Sequence, residues 1–336
     1  MRSASRVIAT SAALAVTVVG VSVQRLATAA PGKPTAAAAA APTVEMWGQG
    51  LLSTPFDELN TVFSPDGKEL YWSIALPEGN GGVIMVSKLV NGKWSTPEIA
   101  PFSGQYTDWD PFFTPDGNKI FYISNRPNGT EQKSPQDYDI WVVTRTANGG
   151  WSAPENIGPP VNTPRPEYYP SIASDGTLYF SANREGRPGA FDLFRSRLVD
   201  GKYTEPESLG PNVNAPGPDI DNYIAPDQSY IIFNSTGRPD DMGRGDLYIS
   251  FNENGQWTPA KHLPAPINSS AREYCSIGSP DGKYLYFTSK RGFADGPRTR
   301  PFTTKELREG LTGTLNGGGN IYRVPLSEVL SLRGTP

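Results

Sequence analysis

Five carboxylates recur along the chain at a constant distance from a repeated turn. Each lies eight residues before the aspartate of that turn. The carboxylates are Glu58, Asp108, Glu167, Asp219 and Glu273, and the turn aspartates are Asp66, Asp116, Asp175, Asp227 and Asp281. The constant spacing predicts equivalent positions in a repeated fold. Gathered around one opening, these acids would attract a cation, a basic peptide or a polyhydroxylated sugar.

Arginines follow four of the five turns, at Arg126, Arg184, Arg238 and Arg291. Residues placed symmetrically about a hairpin turn face each other, so each arginine is predicted to neighbour the carboxylate of its repeat. One interpretation is structural, a link that pins each hairpin to the next repeat. The other is functional, an acidic collar at the mouth of a central channel. The first repeat has Leu76 in place of arginine, so Glu58 is predicted to be the least neutralised acid and the best position for a functional test.

Two further acids, Asp110 and Asp221, each follow a repeat carboxylate by two residues. Period-two spacing predicts that they share a side of the strand with Asp108 and Asp219. A carboxylate pair is what glycoside hydrolysis or an oxygen-only calcium site needs, although many acids in a solvated rim give the same pattern. We therefore predict a ligand-binding channel rim made of these two acids, the five repeat carboxylates and the four arginines. No catalytic residue is assigned, and the presence of a metal is left open.

The repeated turn sets the pattern of elements. It reads Ser64-Pro65-Asp66-Gly67 in the first repeat, and its aspartate returns at intervals of 50 to 59 residues. Pro, Asp and Gly favour tight hairpin turns, and each turn is followed by an aromatic and β-branched run such as Ile120 to Ile123. Asn-Gly or Asp-Gly turns further along mark the link to an outer strand. This period is typical of one four-stranded propeller blade.

The two ends of the repeat region complement each other. The last repeat ends soon after Tyr322 without a fourth strand, whereas Val44 to Trp47 form a surplus strand before the first repeat. The sequence therefore predicts an all-β fold, a single β-propeller of five four-stranded blades whose ring is closed by the N-terminal strand. Closure hides the sheet edges that otherwise invite aggregation. Six blades stay open as an alternative if the interval from Gly292 to Gly318 contains a degenerate blade.

The longest connection between a second and a third strand runs from Gly292 to Gly319. A helix is predicted from Thr304 to Leu311, opened by Thr303 and with Glu306 nearby. The basic residues of this segment are Arg298, Arg300, Lys305 and Arg308. Loops of this length in compact domains are functional or disordered. The segment is therefore interpreted as a lid, a docking arm or an insertion.

The N-terminal region indicates export. Residues 1–29 combine a basic start, an apolar stretch and a small-residue cleavage site, which is the pattern of a signal peptide. Retention of this segment as an anchor is the alternative. Residues 30–43 are rich in Ala and Pro and predict a flexible linker, which leaves residues 44–336 as the propeller domain. We expect a secreted or periplasmic protein with no membrane span after cleavage.

Composition narrows the classes of function and partner. The net charge is −4 and becomes more negative when the arginines of the signal peptide are removed, which disfavours nucleic acid. Cys275 is the only cysteine and His262 the only histidine, which excludes an internal disulfide and a histidine-based zinc site. We predict no cofactor, with calcium left open, and a monomer.

The repeat resembles the TolB-like, WD-like propeller family of bacterial envelope and secreted proteins. The resemblance rests on the Pro-Asp-Gly turn, the Leu-Tyr-Phe-Ser-type strand after it, the arginine that follows as in Ser124 to Arg126, and Asp139-Ile140-Trp141. It extends from about Val44 to Val324. It implies a β-propeller of the kind that serves as a partner-binding platform, although similar propellers also stand in front of enzymatic domains.

Three readings of function follow, and the third of them is a calcium-stabilised structural propeller. The first is a non-catalytic platform that binds a protein or a cell-envelope glycan on the face from which the long loops leave. The alternative is a carbohydrate-active enzyme, a glycoside hydrolase or lyase, that uses carboxylates at the central channel. On the first reading, Glu58→Gln changes ligand binding and neither creates nor abolishes turnover.

Overall fold

The computed structural model describes residues 42–129, 134, 136–184 and 191–334. The predicted signal peptide and nearly all of the predicted linker lie outside the described residues, so both stay predictions. Among the described residues, no helix combines the length and the apolar character that a membrane crossing requires.

Antiparallel sheets form five blades, numbered here in chain order. A short strand, β1 (Glu45–Met46), precedes the first of them. Blade 1 contains β2 (Asp57–Phe63), β3 (Glu69–Ala75), β4 (Gly82–Val90), β5 (Lys93–Trp94) and β6 (Glu98–Ile99). Blade 2 contains β7 (Asp108–Phe113), β8 (Lys119–Ser124), β9 (Asp139–Thr144) and β10 (Glu155–Asn156).

The remaining blades repeat this plan. Blade 3 contains β11 (Glu167–Ile172), β12 (Leu178–Ala182), β13 (Asp192–Ser196), the hairpin β14 (Leu198–Val199) and β15 (Lys202–Tyr203), and β16 (Glu207–Ser208). Blade 4 contains β17 (Asp219–Ile224), β18 (Tyr230–Ser235), β19 (Asp246–Glu253), β20 (Gln256–Trp257) and β21 (Lys261–His262). Blade 5 contains β22 (Glu273–Gly278), β23 (Tyr284–Ser289) and β24 (Asn320–Pro325).

The N-terminal strand completes blade 5 and closes the ring. Strand β1 pairs with β24, with Glu45 opposite Arg323, and the sheet order is β1-β24-β23-β22. The innermost strands of successive blades contact one another, and β22 contacts β2 across the seam. The predicted five-bladed, all-β ring closed by the N-terminal strand is confirmed. The six-blade alternative is wrong, because residues 292–319 contain a helix and no strand.

The ring has two faces that differ in their connections. At the loop face the innermost strands begin and the second strands connect to the third. At the turn face lie the five repeated turns, three of which read Pro-Asp-Gly. Each is closed by hydrogen bonds such as Gly67 N–H to the Ser64 carbonyl, 2.8 Å. Every second strand contributes at least one large, almost fully buried aromatic ring, including Trp72, Tyr122, Phe180, Phe233 and Phe287. Burial of these rings stabilises the folded chain.

The long connection of blade 5 spans the seam to blade 1. Its helix α1 covers Thr304–Thr312 and begins with a capping box between Thr303 and Glu306, which confirms the predicted helix. Near the end of the connection, the Gly319 carbonyl accepts the Glu58 N–H at 3.1 Å. After β24, the chain continues into α2 (Leu326–Leu330) and a short 3-10 turn.

Candidate functional site

The five repeat carboxylates occupy equivalent buried positions at the start of the innermost strands. None has more than 1 % of its surface exposed. Each accepts a backbone N–H from the residue four positions earlier, in the segment that leads into the strand; these donors are Thr54, Gly104, Thr163, Ala215 and Ser269. The repeated acid therefore holds the loop that precedes its strand by accepting a backbone N–H, as a capping carboxylate does at the start of a helix.

Three arginines bind these acids directly. The Nη2 atoms of Arg126, Arg238 and Arg291 lie 3.1, 2.9 and 3.1 Å from the carboxylates of Asp108, Asp219 and Glu273. Each guanidinium also donates to a leading-loop carbonyl and stacks over aromatic rings of the second and third strands. We call this arrangement the arginine pin. A charged pair of this kind is expensive to bury and requires such additional hydrogen bonds.

Blade 3 has a looser version of the pin. Arg184 donates to the Val161 carbonyl at 2.7 Å, and its charge acts on Glu167. Burial nevertheless raises the pKa of the Glu167 carboxyl to about 8, against the opposing effects of Thr163 and Arg184. The predicted neighbourhood of carboxylate and arginine thus holds in all four blades that carry the arginine. These eight residues lie inside the blades, and their contact with a ligand at the channel rim stays a prediction.

Blade 1 has apolar aliphatic residues at the positions that supply most of the polar and aromatic groups around the carboxylate in the other blades. Leu76 occupies the position of the arginine. Ile74 lies opposite Glu58, where three other blades have serine and blade 3 has alanine. On the third strand, Val83 and Met85 replace an Asp or Asn and an aromatic ring. The fourth strand contributes Ile99 where blades 2, 3 and 4 have Asn156, Ser208 and His262. The sequence singled out only the first of these changes.

Glu58 is therefore buried without a cationic partner among the described residues. Its carboxylate accepts hydrogen bonds from Thr54, and burial raises its pKa. The neutral form is favoured in such surroundings. Glu58 differs from the three directly pinned carboxylates, as its sequence context predicted.

The apolar substitutions open a groove at the loop face, which we call the blade 1 groove. It has a volume of about 760 Å³ and is lined by residues that include Phe56, Ile74, Leu76, Met85 and Ile99. Phe56, Leu76 and Ile99 remain 62 %, 39 % and 52 % exposed. Large side chains exposed together in a concave surface mark an interaction site more often than isolated ones do.

One wall of the groove depends on a glycine. A Cβ atom at Gly82 would meet the Trp109 ring at 2.3 Å, so glycine allows the indole to lie across the top of blade 1. Trp109 and Tyr138 both line the groove. Tyr138 in turn contacts Tyr168, with ring centroids 5.6 Å apart, and Tyr168 contacts Phe191 at 5.2 Å. An aromatic row therefore extends from the groove along the loop face to blade 3.

A second set of polar residues meets on the ring axis. Each innermost strand has a β-bulge, and at each bulge one residue adopts a φ between 52° and 58°. These residues, which we call the axial cluster, are Asn60, Asp110, Tyr169, Asp221 and Cys275. A left-handed backbone in non-glycine residues is costly. Its recurrence in all five blades directs five side chains to a common centre.

Contacts within the axial cluster cross the ring. Asn60 donates its side-chain amide to Asp110 Oδ1 at 2.8 Å, and the Tyr169 hydroxyl donates to Asn60 Oδ1 at 3.0 Å. The charge of Asp221 in blade 4 also acts on Asp110 in blade 2. Only side chains that reach the axis can join blades that are not adjacent. The axial cluster therefore occupies the centre of the ring.

The two axial acids have raised pKa values. Burial, followed by the charge of Asp221, raises the pKa of Asp110 to about 8. Burial raises the pKa of Asp221 to about 6, and Arg272, 3.6 Å away, opposes that rise. The predicted shared side of the strand stays a prediction, because the contacts show only that Asp110 and Asp108 have different partners. The same holds for Asp221 and Asp219. In the described part of the chain, no group of three or more His, Cys, Asp or Glu side chains could hold a metal ion.

Comparisons with known proteins concern the fold. No known family profile matches the sequence, and no curated protein matches it. A TolB structure from Agrobacterium tumefaciens is 18 % identical with a TM-score of 0.47, covering 81 % of this chain and 91 % of that one. The chain is similar to TolB propellers. TolB from Acinetobacter baumannii is 14 % identical with a TM-score of 0.45, over 80 % of this chain and 54 % of that one.

A third solved structure to which the chain is similar is a peptidase. A puromycin-hydrolysing peptidase from Mycobacterium tuberculosis is 13 % identical with a TM-score of 0.39, over 72 % of this chain and 35 % of that one. The resemblance to TolB-like propellers in the repeat motifs agrees with the fold. At these identities the likeness concerns architecture, and function has to be argued from the site.

Proposed function

We propose that this protein is an exported, TolB-like propeller that acts as a non-catalytic binding platform and holds a protein or a cell-envelope glycan on its loop face. The blade 1 groove is the observation that carries this proposal. Four blades fill the equivalent space with an arginine pin or its looser form, whereas blade 1 leaves an apolar depression with three exposed large side chains. The departure of blade 1 from the repeat therefore creates a concave apolar surface.

The test measures binding to a defined probe set, consisting of isolated peptidoglycan, cell-envelope polysaccharides and a displayed random peptide library. We expect Ile99→Glu to reduce binding to at least one probe by tenfold or more, because it places a charge in the groove. The matched control is Val199→Glu, since Val199 is also 52 % exposed but lies in the β14–β15 hairpin near the turn face. Equal binding by both variants to every probe would contradict the proposal.

Glu58→Gln tests the same face without adding bulk. Because burial already favours the neutral acid, the amide should preserve the fold, and the melting temperature should stay within about 2 °C of wild type. We expect altered binding of the probe that the Ile99 variant loses, measured by the same assay. Unchanged binding would remove Glu58 from the proposed site.

The axial cluster supports the second candidate, a carbohydrate-active enzyme. Asp110 and Asp221 have pKa values of about 8 and about 6, and carboxyl groups with separated pKa values can divide the roles of acid and base. Both acids are, however, only 8 % exposed, so a polysaccharide would need an opening of the ring centre to reach them.

The variant Asp221→Asn distinguishes the enzyme from the binding platform. If the axial acids catalyse hydrolysis, turnover of one member of a polysaccharide panel should fall at least 100-fold in the variant. On the platform proposal, wild type releases no reducing sugar from any member of the panel. Reducing-end assays with and without calcium decide between the two outcomes.

A further inference from the structure

We infer that the ligand of the blade 1 groove is an extended polypeptide segment that places a large apolar side chain in the groove and a lysine or arginine against its acidic margin. This inference rests on the proposed function and narrows it to one class of ligand. Three features of blade 1 carry it: the free edge of β6, the charges around the groove and the size of the depression.

The edge of blade 1 is available beside the groove. Among the described residues, strand β6 pairs only with β4, through Met85 opposite Ile99 and Val86 opposite Glu98. Both residues of β6 are exposed, and Ile99 also lines the groove. An exposed edge strand offers backbone groups to an added polypeptide strand, while a neighbouring pocket selects its side chains. A glycan has no regular series of backbone N–H and C=O groups to match this edge.

The charges around the groove favour a basic segment. Asp57 and Glu78 belong to the lining, and Glu98 precedes Ile99 on the edge strand. No Lys or Arg belongs to the lining among the described residues. Asp57 is bound by Lys290 from blade 5 at 2.8 Å, whereas Glu78 and Glu98 are exposed and have no ion pair within the described chain. Opposite charges on the ligand and on the margin of its site orient the ligand and raise its association rate.

The dimensions agree with side chains of a peptide. The depression of about 760 Å³ falls within the usual range of about 300–1,000 Å³ for ligand sites. Its lining is aliphatic and aromatic, with Ile74, Val83 and Met85 forming a continuous apolar surface on the third and second strands. A buried apolar anchor in such a pocket commonly dominates the affinity of a peptide.

The other blades suggest the decisive variant. Leu76→Arg puts a guanidinium where Arg126, Arg238 and Arg291 sit, next to the unpaired Glu58 carboxyl. The new arginine side chain should fill part of the groove, and the melting temperature of the variant should be at or above that of wild type. The matched control is Val90→Arg, which adds the same charge at a residue that is 57 % exposed on the turn-face end of β4.

The experiment selects a displayed library of random dodecapeptides on the exported protein and then measures the affinity of synthetic copies of the enriched peptides. We expect enrichment of a Phe, Trp, Leu or Ile within four residues of a Lys or Arg. The dissociation constant should rise at least tenfold in Leu76→Arg and Ile99→Glu and stay within twofold in Val90→Arg. A Glu78→Gln/Glu98→Gln variant should weaken the same peptides three- to tenfold at low salt and less at high salt.

The outcomes separate the two proposals. Enriched peptides that bind Leu76→Arg and Ile99→Glu as well as wild type overturn the polypeptide inference. If only peptidoglycan or polysaccharide binding depends on Ile99 and Leu76, the platform function stands and the polypeptide inference falls. If no probe depends on either residue, both proposals fail. Because Ile99 is exposed, its variant remains informative even if Leu76→Arg folds poorly.

Discussion

Replacing Arg238 with Met is expected to lower the free energy of unfolding by about 3 to 5 kcal/mol, because breaking a buried ion pair leaves the other charge buried without a partner. Arg238 donates to Asp219 at 2.9 Å and to Ser235 Oγ at 2.7 Å, and its guanidinium stacks 4.7 Å from the centre of the Tyr248 ring. Methionine keeps most of the apolar contact but leaves Asp219 fully buried without a cation. Urea unfolding at pH 7, followed by tryptophan fluorescence, measures the loss.

The loss should depend on pH in a defined direction. Burial already raises the pKa of Asp219, and removal of the guanidinium raises it further. An acid with a raised folded-state pKa costs stability as the pH rises through the window between its unfolded and folded values. The deficit of Arg238→Met should therefore be smaller at pH 4 than at pH 7. A loss below about 1 kcal/mol at pH 7 would show that the pin is not a main stabilising element.

Replacing Asp110 with Asn is expected to stabilise the protein at pH 8 by roughly 2 to 4 kcal/mol, because one pKa unit corresponds to about 1.4 kcal/mol. Asn retains an oxygen that can accept the Asn60 amide, which donates to Asp110 Oδ1 at 2.8 Å. The gain comes from removing a carboxyl whose ionisation at the ring centre is opposed by burial and by Asp221.

The sign of the pH dependence follows from linkage. The folded-state pKa of Asp110 is about 8, whereas the unfolded carboxyl titrates near 3.9. Between these values the folded chain binds the proton and the unfolded chain does not, so wild-type stability falls as the pH rises. The advantage of Asp110→Asn should grow from pH 4 to pH 8 and then level off. Chemical unfolding at pH 4, 6 and 8 tests this, with Asp200→Asn in an exposed turn as the control; equal gains at all three pH values would contradict it.

The architecture could be predicted because its signals are local and repeated. Turn sequences such as Ser64-Pro65-Asp66-Gly67 fix the hairpins, and five copies at blade-length intervals fix the ring. The surplus strand near Glu45 and the missing strand after Tyr322 identify the closure, which the structure shows as β1 beside β24. The capping residues Thr303 and Glu306 fix the start of α1 in the same local way.

The candidate site could be predicted only in part. Leu76 is visible in the sequence as a break in the arginine pattern, but Ile74, Val83 and Ile99 lie on three strands, and only the strand register brings them together. The axial cluster could not be predicted from the sequence for a different reason. The left-handed residues at the bulges include Tyr169 and Cys275, which have no intrinsic preference for that conformation, so the sequence does not indicate the bulges that bring Asp110 and Asp221 to the axis.

The closure of blade 5 by β1 has a consequence for chain connectivity. The first and last described segments meet in one sheet, and the Thr43 N–H donates to the Glu328 carboxylate at 3.1 Å. A circularly permuted gene, opened at the Asn254-Gly255 turn of blade 4 and joined across this point, would preserve the hydrogen-bonded ladders of every blade. Blade 4 would then be the split sheet, and blade 1 with its groove would lie in the middle of the polypeptide.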